Sequence, residues 1–377
     1  MVVIRAFYPE AQGALMIIRE NKNRSHGFFL FLLLYHTRQE NGQFIDVKKP
    51  LRYNSPMTKE SRHMPEKPPH YEAYSAYEAA DIIIRTEEKR LPRPDMHAFR
   101  EIAGEEDIRK KEERLQKTLE RIRQDEERLD PILRKRSFEQ KKISDAFEVT
   151  IIAHGEESEW LGSNVFITRT TEYDDVLNGV DAVAEFNAPH EGAEHPRLAL
   201  AIDATTDQHY TTIEKKIKQN VEKILSLKGR TAEVEYFESQ ITEERGHLTH
   251  TVPIVLGLEY RHAKEILTDY ANLIAFRELG RDAHKDDIHA IRERFARHPA
   301  QRVFLKEATA QLELYQHILK EKNDPVSVSY KEKISDLQRI IHDIEKEKEE
   351  ISLEDLEDDA VLETIIQASP HIQKDYS

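Results

Sequence analysis

The chain contains no cysteine, which excludes disulfides and thiolate metal sites and suits a reducing interior. It also lacks an apolar stretch long enough for a membrane. The longest, Gly27 to Tyr35 (GFFLFLLLY), is nine residues, against the ~20 that a spanning helix needs. That run reads as a buried strand. It lies behind Arg19, Lys22 and Arg24 with no small-residue cleavage site after it, so a signal peptide is not indicated. The cytoplasm is the expected location, with no membrane partner. G-x-x-x-x-G-K-[ST], G-x-G-x-x-G and G-x-S-x-G are all missing, which removes the usual support for P-loop, Rossmann and α/β-hydrolase chemistry. No repeat of solenoid period is visible.

What is present is charge. Of 377 residues, 34% are charged and 38% hydrophobic, enough apolar material for one large domain with helical additions or for two ordinary domains. The excess charge is expected on long solvated helices. A net charge of -15 argues against indiscriminate coating of nucleic acid, because non-specific affinity comes from phosphate neutralisation by Lys and Arg. It leaves room for a local basic groove.

Residues 1–47 hold several strand-like runs and a turn at Glu40-Asn41-Gly42, which suit a small β unit. Residues 48–71 carry five prolines among many charges and read as a linker. Residues 72–136 form a helical, partly coiled-coil-like region: a short helix before Pro92 and Pro94, then a stretch with Ile108, Leu115, Ile122 and Leu129 spaced by seven. Glu112 and Glu126 interrupt the second stripe of those heptads, so a helix lying on its own protein or hairpinned with another is expected over an extended dimeric coiled coil. Residues 137–258 read as an α/β core: a helix from about 132 to 153, strands at 165–170, 179–186 and 198–205, a helix at 211–228, then strands at 231–237 and 252–258. Helices follow through residues 259–351, ending in a charged one at 326–351, and residues 352–377 read as a solvated acidic tail. The charged helices also offer a surface for a homo-oligomer or a protein partner.

Within the core, GVDAVAEF puts Asp181, Val183 and Glu185 on one strand face, and LALAIDATT puts Ala199, Ala201, Asp203 and Thr205 on one face. Acids inside apolar strands call for a binding partner or a neutralising neighbour. Small neighbours leave room for a ligand, and oxygen donors suit Mg²⁺ or Mn²⁺.

The order helix, strand, strand, acid-ended strand, helix, strand over residues 137–258 resembles the PD-(D/E)XK, or restriction-endonuclease-like, nucleases. The resemblance implies an α+β fold with a mixed central sheet flanked by helices. It also implies one or two Mg²⁺ ions held by Asp181 and Asp203, and hydrolysis of DNA or RNA phosphodiesters. Glu148 matches an accessory acidic ligand on the preceding helix, and Glu185 shares the face of Asp181. The pattern departs at one point: the lysine that should stand two residues after the third-strand acid is Thr205 here. Some members carry that lysine on the following helix, which makes Lys215 and Lys216 catalytic candidates. Those lysines and Lys218 could instead pair with Glu214 and Glu222 along the helix.

Glu172, Asp174 and Asp175 fall in a turn, where acids are common for backbone reasons. Among eighteen histidines, His190 and His195 bracket a loop, and His247 and His250 sit in a segment that reads as a loop, so surface roles are expected. A catalytically inactive member of the same fold and a helical scaffold are the alternatives to a nuclease.

Overall fold

A computed structural model describes residues 39–40, 43–44, 64–187, 198–226, 232–242, 244–280, 284–353 and 356–376. The chain divides into two compact units, Met1–Asn54 and Ser55–Ser377. In the first, β1 (Gln39–Glu40) and β2 (Gln43–Phe44) pair antiparallel around the Asn41-Gly42 position. The strand expected at 27–35 lies outside the described residues.

The described part of the second unit opens on an arm, residues 64–75, leading into α1 (Ala76–Arg90), α2 (Arg100–Ala103), α3 (Glu105–Glu127) and α4 (Pro131–Glu157). Local chemistry sets these starts. Ser75 and Glu78 form a reciprocal capping box at α1, and Asp130 caps α4 ahead of a first-turn proline. Of the two arrangements that the interrupted heptads favour, α3 takes the first and lies on the protein's own core. Ile108 and Leu115 bury against Met96, Phe99, Tyr173 and Tyr236, whereas Ile122 is exposed. The seven-residue stripe therefore serves the protein's own core over its first half only. The C-terminal half of α4 is buried from Ile143 to Gly155, as its rising apolar content requires.

Five strands form a mixed sheet in the order β3 (Val165–Arg169), β4 (Ala182–Phe186), β5 (Leu198–Thr205), β7 (Arg245–Gly257), β6 (Ala232–Glu238). β3, β4 and β5 make an antiparallel meander. The chain then crosses through α5 (Tyr210–Leu225), forms β6 at the edge and returns as β7 parallel to β5, with Asp203 opposite Val255. β7 is thirteen residues long and includes His247 and His250, so the segment expected to be a loop is strand. Its apolar end meets β5 closely. A Cβ on Gly257 would lie 2.5 Å from the Thr205 carbonyl oxygen, so only glycine fits there without shifting backbone.

The sheet's faces are unequal. Even-numbered residues Ala182, Ala184, Leu200 and Ile202 enter the main core with α1, α4, α5, α6 (Tyr260–Leu279), α8 (Ala300–Leu319) and α9 (Pro325–Glu347). Odd-numbered Val183, Ala199 and Ala201 meet only a small cluster with Val234, Phe237 and Leu248. Asp181, Glu185 and Asp203 belong to this thinner face.

The acidic end of the chain is not a solvated tail. After α7 (Lys285–Ala296), α8 and α9, residues 360–376 form α10 (Ala360–Tyr376), which buries Val361, Leu362, Ile365, Ala368 and Ile372. Asp359 is fully buried and accepts from Glu259 N, from His262 Nδ1 and from Val361 and Leu362 N–H, so the acid run supplies a helix cap tied to the core. Charge density masked a regularly spaced apolar face. No helix among the described residues is long and apolar enough to cross a membrane.

The packing of α10 sets an expected outcome. Ile365→Ala should lower stability by about 2–5 kcal/mol in denaturant melts, as for other buried Ile truncations. A change within about 0.5 kcal/mol, the usual surface value, would show that α10 does not pack in solution.

Candidate metal and catalytic site

The excursion between β3 and β4 builds one wall of the site. Thr170 closes it, its amide donating to Asp181 O at 3.0 Å and its hydroxyl to Val180 O. Inside, Asp174–Asn178 is a single π-helical turn that ends at Gly179 with φ 63, a left-handed position. Asp174 is wholly buried and accepts from Thr171 Oγ1, Asn178 Nδ2, Glu235 N and Tyr236 N, pinning the turn to β6. With Asp174 committed to structure, its neighbour Asp175 faces α4. There the carboxylate oxygens of Glu148, Asp175 and Asp181 gather, one from each lying within 4.8 Å of the others.

The second wall is the end of β5. Continuing the ladder past Ala182↔Ile202 sets Asp181 opposite Asp203, and directly opposed residues share a face. Asp181 Oδ2 accepts from Ala204 N at 2.7 Å, satisfying an amide that the strand ladder has left behind. Asp203 Oδ1 accepts from Lys216 Nζ at 2.6 Å. Lys216 lies on the face of α5 that also carries buried Ile213 and Asn220. Two turns on, Lys223 donates to Asn178 O at 2.9 Å. Both lysines therefore reach toward the acid turn. Lys215 points to solvent, and Lys218 pairs with Glu214 and Asp375, so of the three helix lysines only Lys216 joins the site.

Two arginines complete the pocket. Arg93, fixed between Pro92 and Pro94, donates to Asp175 at 2.6 Å and Glu148 at 3.2 Å, and Arg169 at the end of β3 donates to Glu148 at 3.1 Å. Glu185 does not take part. Although it shares a face with Asp181, it is four residues along the strand, where Ser239 Oγ donates to it at 2.8 Å and Gln240 N at 3.1 Å. It is a structural acid holding the β6–β7 turn, which corrects its place among the ligands. His190 and His195 lie outside the described residues.

No protein-family profile, curated protein or solved structure matches the chain. The site must be read from its own geometry.

Asp175, Arg93 and Arg169 escaped the sequence reading. The pair Asp174-Asp175 held a signal, since two adjacent acids in one helical turn point in different directions and a single turn-forming role cannot account for both. Flanking prolines set Arg93 apart without pointing to an acidic partner, and nothing in the sequence distinguishes Arg169.

Burial dominates the electrostatics. It pushes Glu148 up to about 7 against the pull of Arg93 and Arg169. Asp181 is raised well above the usual carboxylate range by burial and then by Glu148, Asp203 and Asp175. Asp203 is raised by burial despite Lys216, and burial lowers Lys223. The pocket therefore binds protons more readily than an unfolded chain would. Glu148 titrates near 7 when folded and near 4.5 when not, so its stabilising contribution is complete below about 4.5 and is lost as pH rises to about 7.

Chemical denaturation from pH 4.5 to 8 in the presence of a chelator should show this decline. Glu148→Gln should flatten it. An unchanged slope in the variant would mean that Glu148 has an ordinary affinity for protons.

Proposed function

We propose that the chain is a divalent-cation-dependent nuclease acting on nucleic-acid phosphodiesters, a divergent relative of the PD-(D/E)XK enzymes working in the cytoplasm. The observation that carries this reading is the gathering of Glu148, Asp175 and Asp181 within 4.8 Å, beside an Asp203–Lys216 contact of 2.6 Å. Carboxylate-only donors fit Mg²⁺ or Mn²⁺, which take oxygen ligands and keep several waters. Asp181, Glu148 and Asp175 would hold the ion; Asp203, expected as a ligand beside Asp181, falls outside that cluster and pairs with Lys216. When bound, such an ion polarises a phosphate oxygen and makes a coordinated water a stronger nucleophile.

The protein's own groups have distinct tasks in this reading. Lys216 supplies the ammonium that Thr205 cannot, its position fixed by Asp203. Arg93 and Arg169 present guanidinium forks suited to phosphate oxygens. Glu148 and Asp181 exchange protons for the cation, so cation affinity should rise with pH through about 7. The element order α4, β3, β4, β5, α5 and a strand parallel to β5 agrees with the resemblance. The parallel strand is β7, however, the second after α5 rather than the first.

One observation favours an inactive binding protein of the same fold. Arg93, Arg169, Lys216 and Lys223 face Glu148, Asp175, Asp181 and Asp203, four cations for four acids, so the pocket can be neutral without an ion.

Incubation of the protein with mixed DNA and RNA substrates and Mg²⁺ or Mn²⁺ separates the two readings. Cleavage should occur and fall by about a hundredfold or more in Asp203→Asn and Lys216→Met, with Lys215→Met close to wild type, a scale typical of lost acid–base or charge-stabilising groups. Absence of cleavage, or cleavage indifferent to Asp203 and Lys216, would overturn the nuclease reading. Folded protein that neither cleaves nor binds the cation would favour the binding protein, whereas cation binding lost in Asp181→Asn would count against it.

A further inference from the structure

A second cluster of metal-ligating side chains lies apart from the acid pocket, where the arm of residues 64–75 meets the start of α7. His70 Nδ1 lies 3.1 Å from Asp287 Oδ2, and His284 Nδ1 lies 2.9 Å from the same oxygen. The two imidazoles stand edge to face, 5.6 Å between centroids at 87°. His284 is held by stacking on Phe276 at 5.1 Å, and Asp287 is nearly buried. Against the upward push of burial, the hydrogen bonds from His284 and His70 keep the Asp287 carboxyl below its ordinary range, so it is ionised at neutral pH.

His70 is mostly exposed, yet its backbone is anchored on both sides. Arg294 donates to Pro65 O at 2.6 Å, Tyr71 donates to Asp269 at 2.6 Å, and Glu72 exchanges two hydrogen bonds with Asn272. The imidazole is therefore held near Asp287 by a docked arm.

We propose that His70, His284 and Asp287 bind a first-row transition cation of the Zn²⁺ class, which clasps residues 64–75 to the start of α7. Zinc sits about 2.0–2.2 Å from imidazole nitrogen and carboxylate oxygen, which spaces neighbouring ligand atoms about 3 Å apart, close to the two N···O separations here. Both Nδ1 atoms already converge on one oxygen. A cation entering between them displaces the Nδ1 protons, and each ring keeps its proton on Nε2, which for His70 faces water. Two nitrogens and one oxygen select Zn²⁺, Co²⁺ or Ni²⁺ over the Mg²⁺ suited to an all-oxygen pocket. Three protein ligands leave a coordination position for water.

The test uses the full chain, stripped with chelator, in an Asp181→Asn background so that the acid pocket contributes little. Zn²⁺ is followed by calorimetry and Co²⁺ by visible absorption near neutral pH. One ion per chain is expected, with affinity at least tenfold weaker in both His70→Ala and His284→Gln. Zinc should slow amide exchange at Tyr71 and Glu72 unless His70 is replaced. His70 is exposed, so its removal leaves the core intact, and thermal melts check this. Absence of binding by the folded protein, or binding and protection that survive both substitutions, would reduce the trio to hydrogen-bonded surface groups and overturn the proposal.

Discussion

A carboxylate removed from water needs a proton or a cationic partner, and the end of the β3–β4–β5 meander supplies both. Glu148, Asp175, Asp181 and Asp203 come from a helix, a π turn, a strand entrance and a strand end. Each is placed by a different local device: Glu148, Asp175 and Asp203 face arginines or a lysine, and Asp181 accepts from the Ala204 amide. The proline-flanked course of Arg93, the Thr170 clasp and the inward face of α5 all serve this one balance. Breaking a buried pair on one side leaves an uncompensated charge, which is costlier than losing the pair altogether.

The asymmetry of the sheet makes such a pocket affordable. One face carries the main core, packed by seven helices as well as α10, so the bulk of the apolar burial lies on that side. The thinner face, with alanines at 199 and 201, can end in acids and tolerate a shallow cover. Gly257 keeps β5 and β7 close where the two faces meet, holding Asp203 at the carboxyl end of the parallel pair. Open α/β sheets commonly bind ligands outside the carboxyl ends of parallel strands.

The same rule of buried charge governs the arm. Arg294 and Asp269 are both buried and pair at 3.0 Å. They draw in Pro65 O and the Tyr71 hydroxyl as further partners, so residues read as a linker become a docked strap from residue 64 onward. Proline and charge content describe what a segment cannot form by itself. They do not say whether a distant surface supplies its hydrogen bonds.

Most of the secondary structure was legible in the chain because it follows from local periodicity. The meander, α5 and the long helices fall within a few residues of where the apolar spacing puts them. Alternation alone grouped Asp181 with Val183 and Glu185, and Asp203 with Ala199 and Ala201; the strand register put both groups on the thinner face. Only the tertiary structure decided which charged residues belong together. Glu185 and Asp181 share a strand face but different neighbours, Lys215 and Lys216 are adjacent in sequence but 100° apart around a helix, and Asp175 differs from Asp174 only in the direction it points. Periodicity specifies direction relative to a residue's own element. Distance between side chains of different elements, which sets charge pairing, proton affinity and any shared ion, depends on how those elements pack.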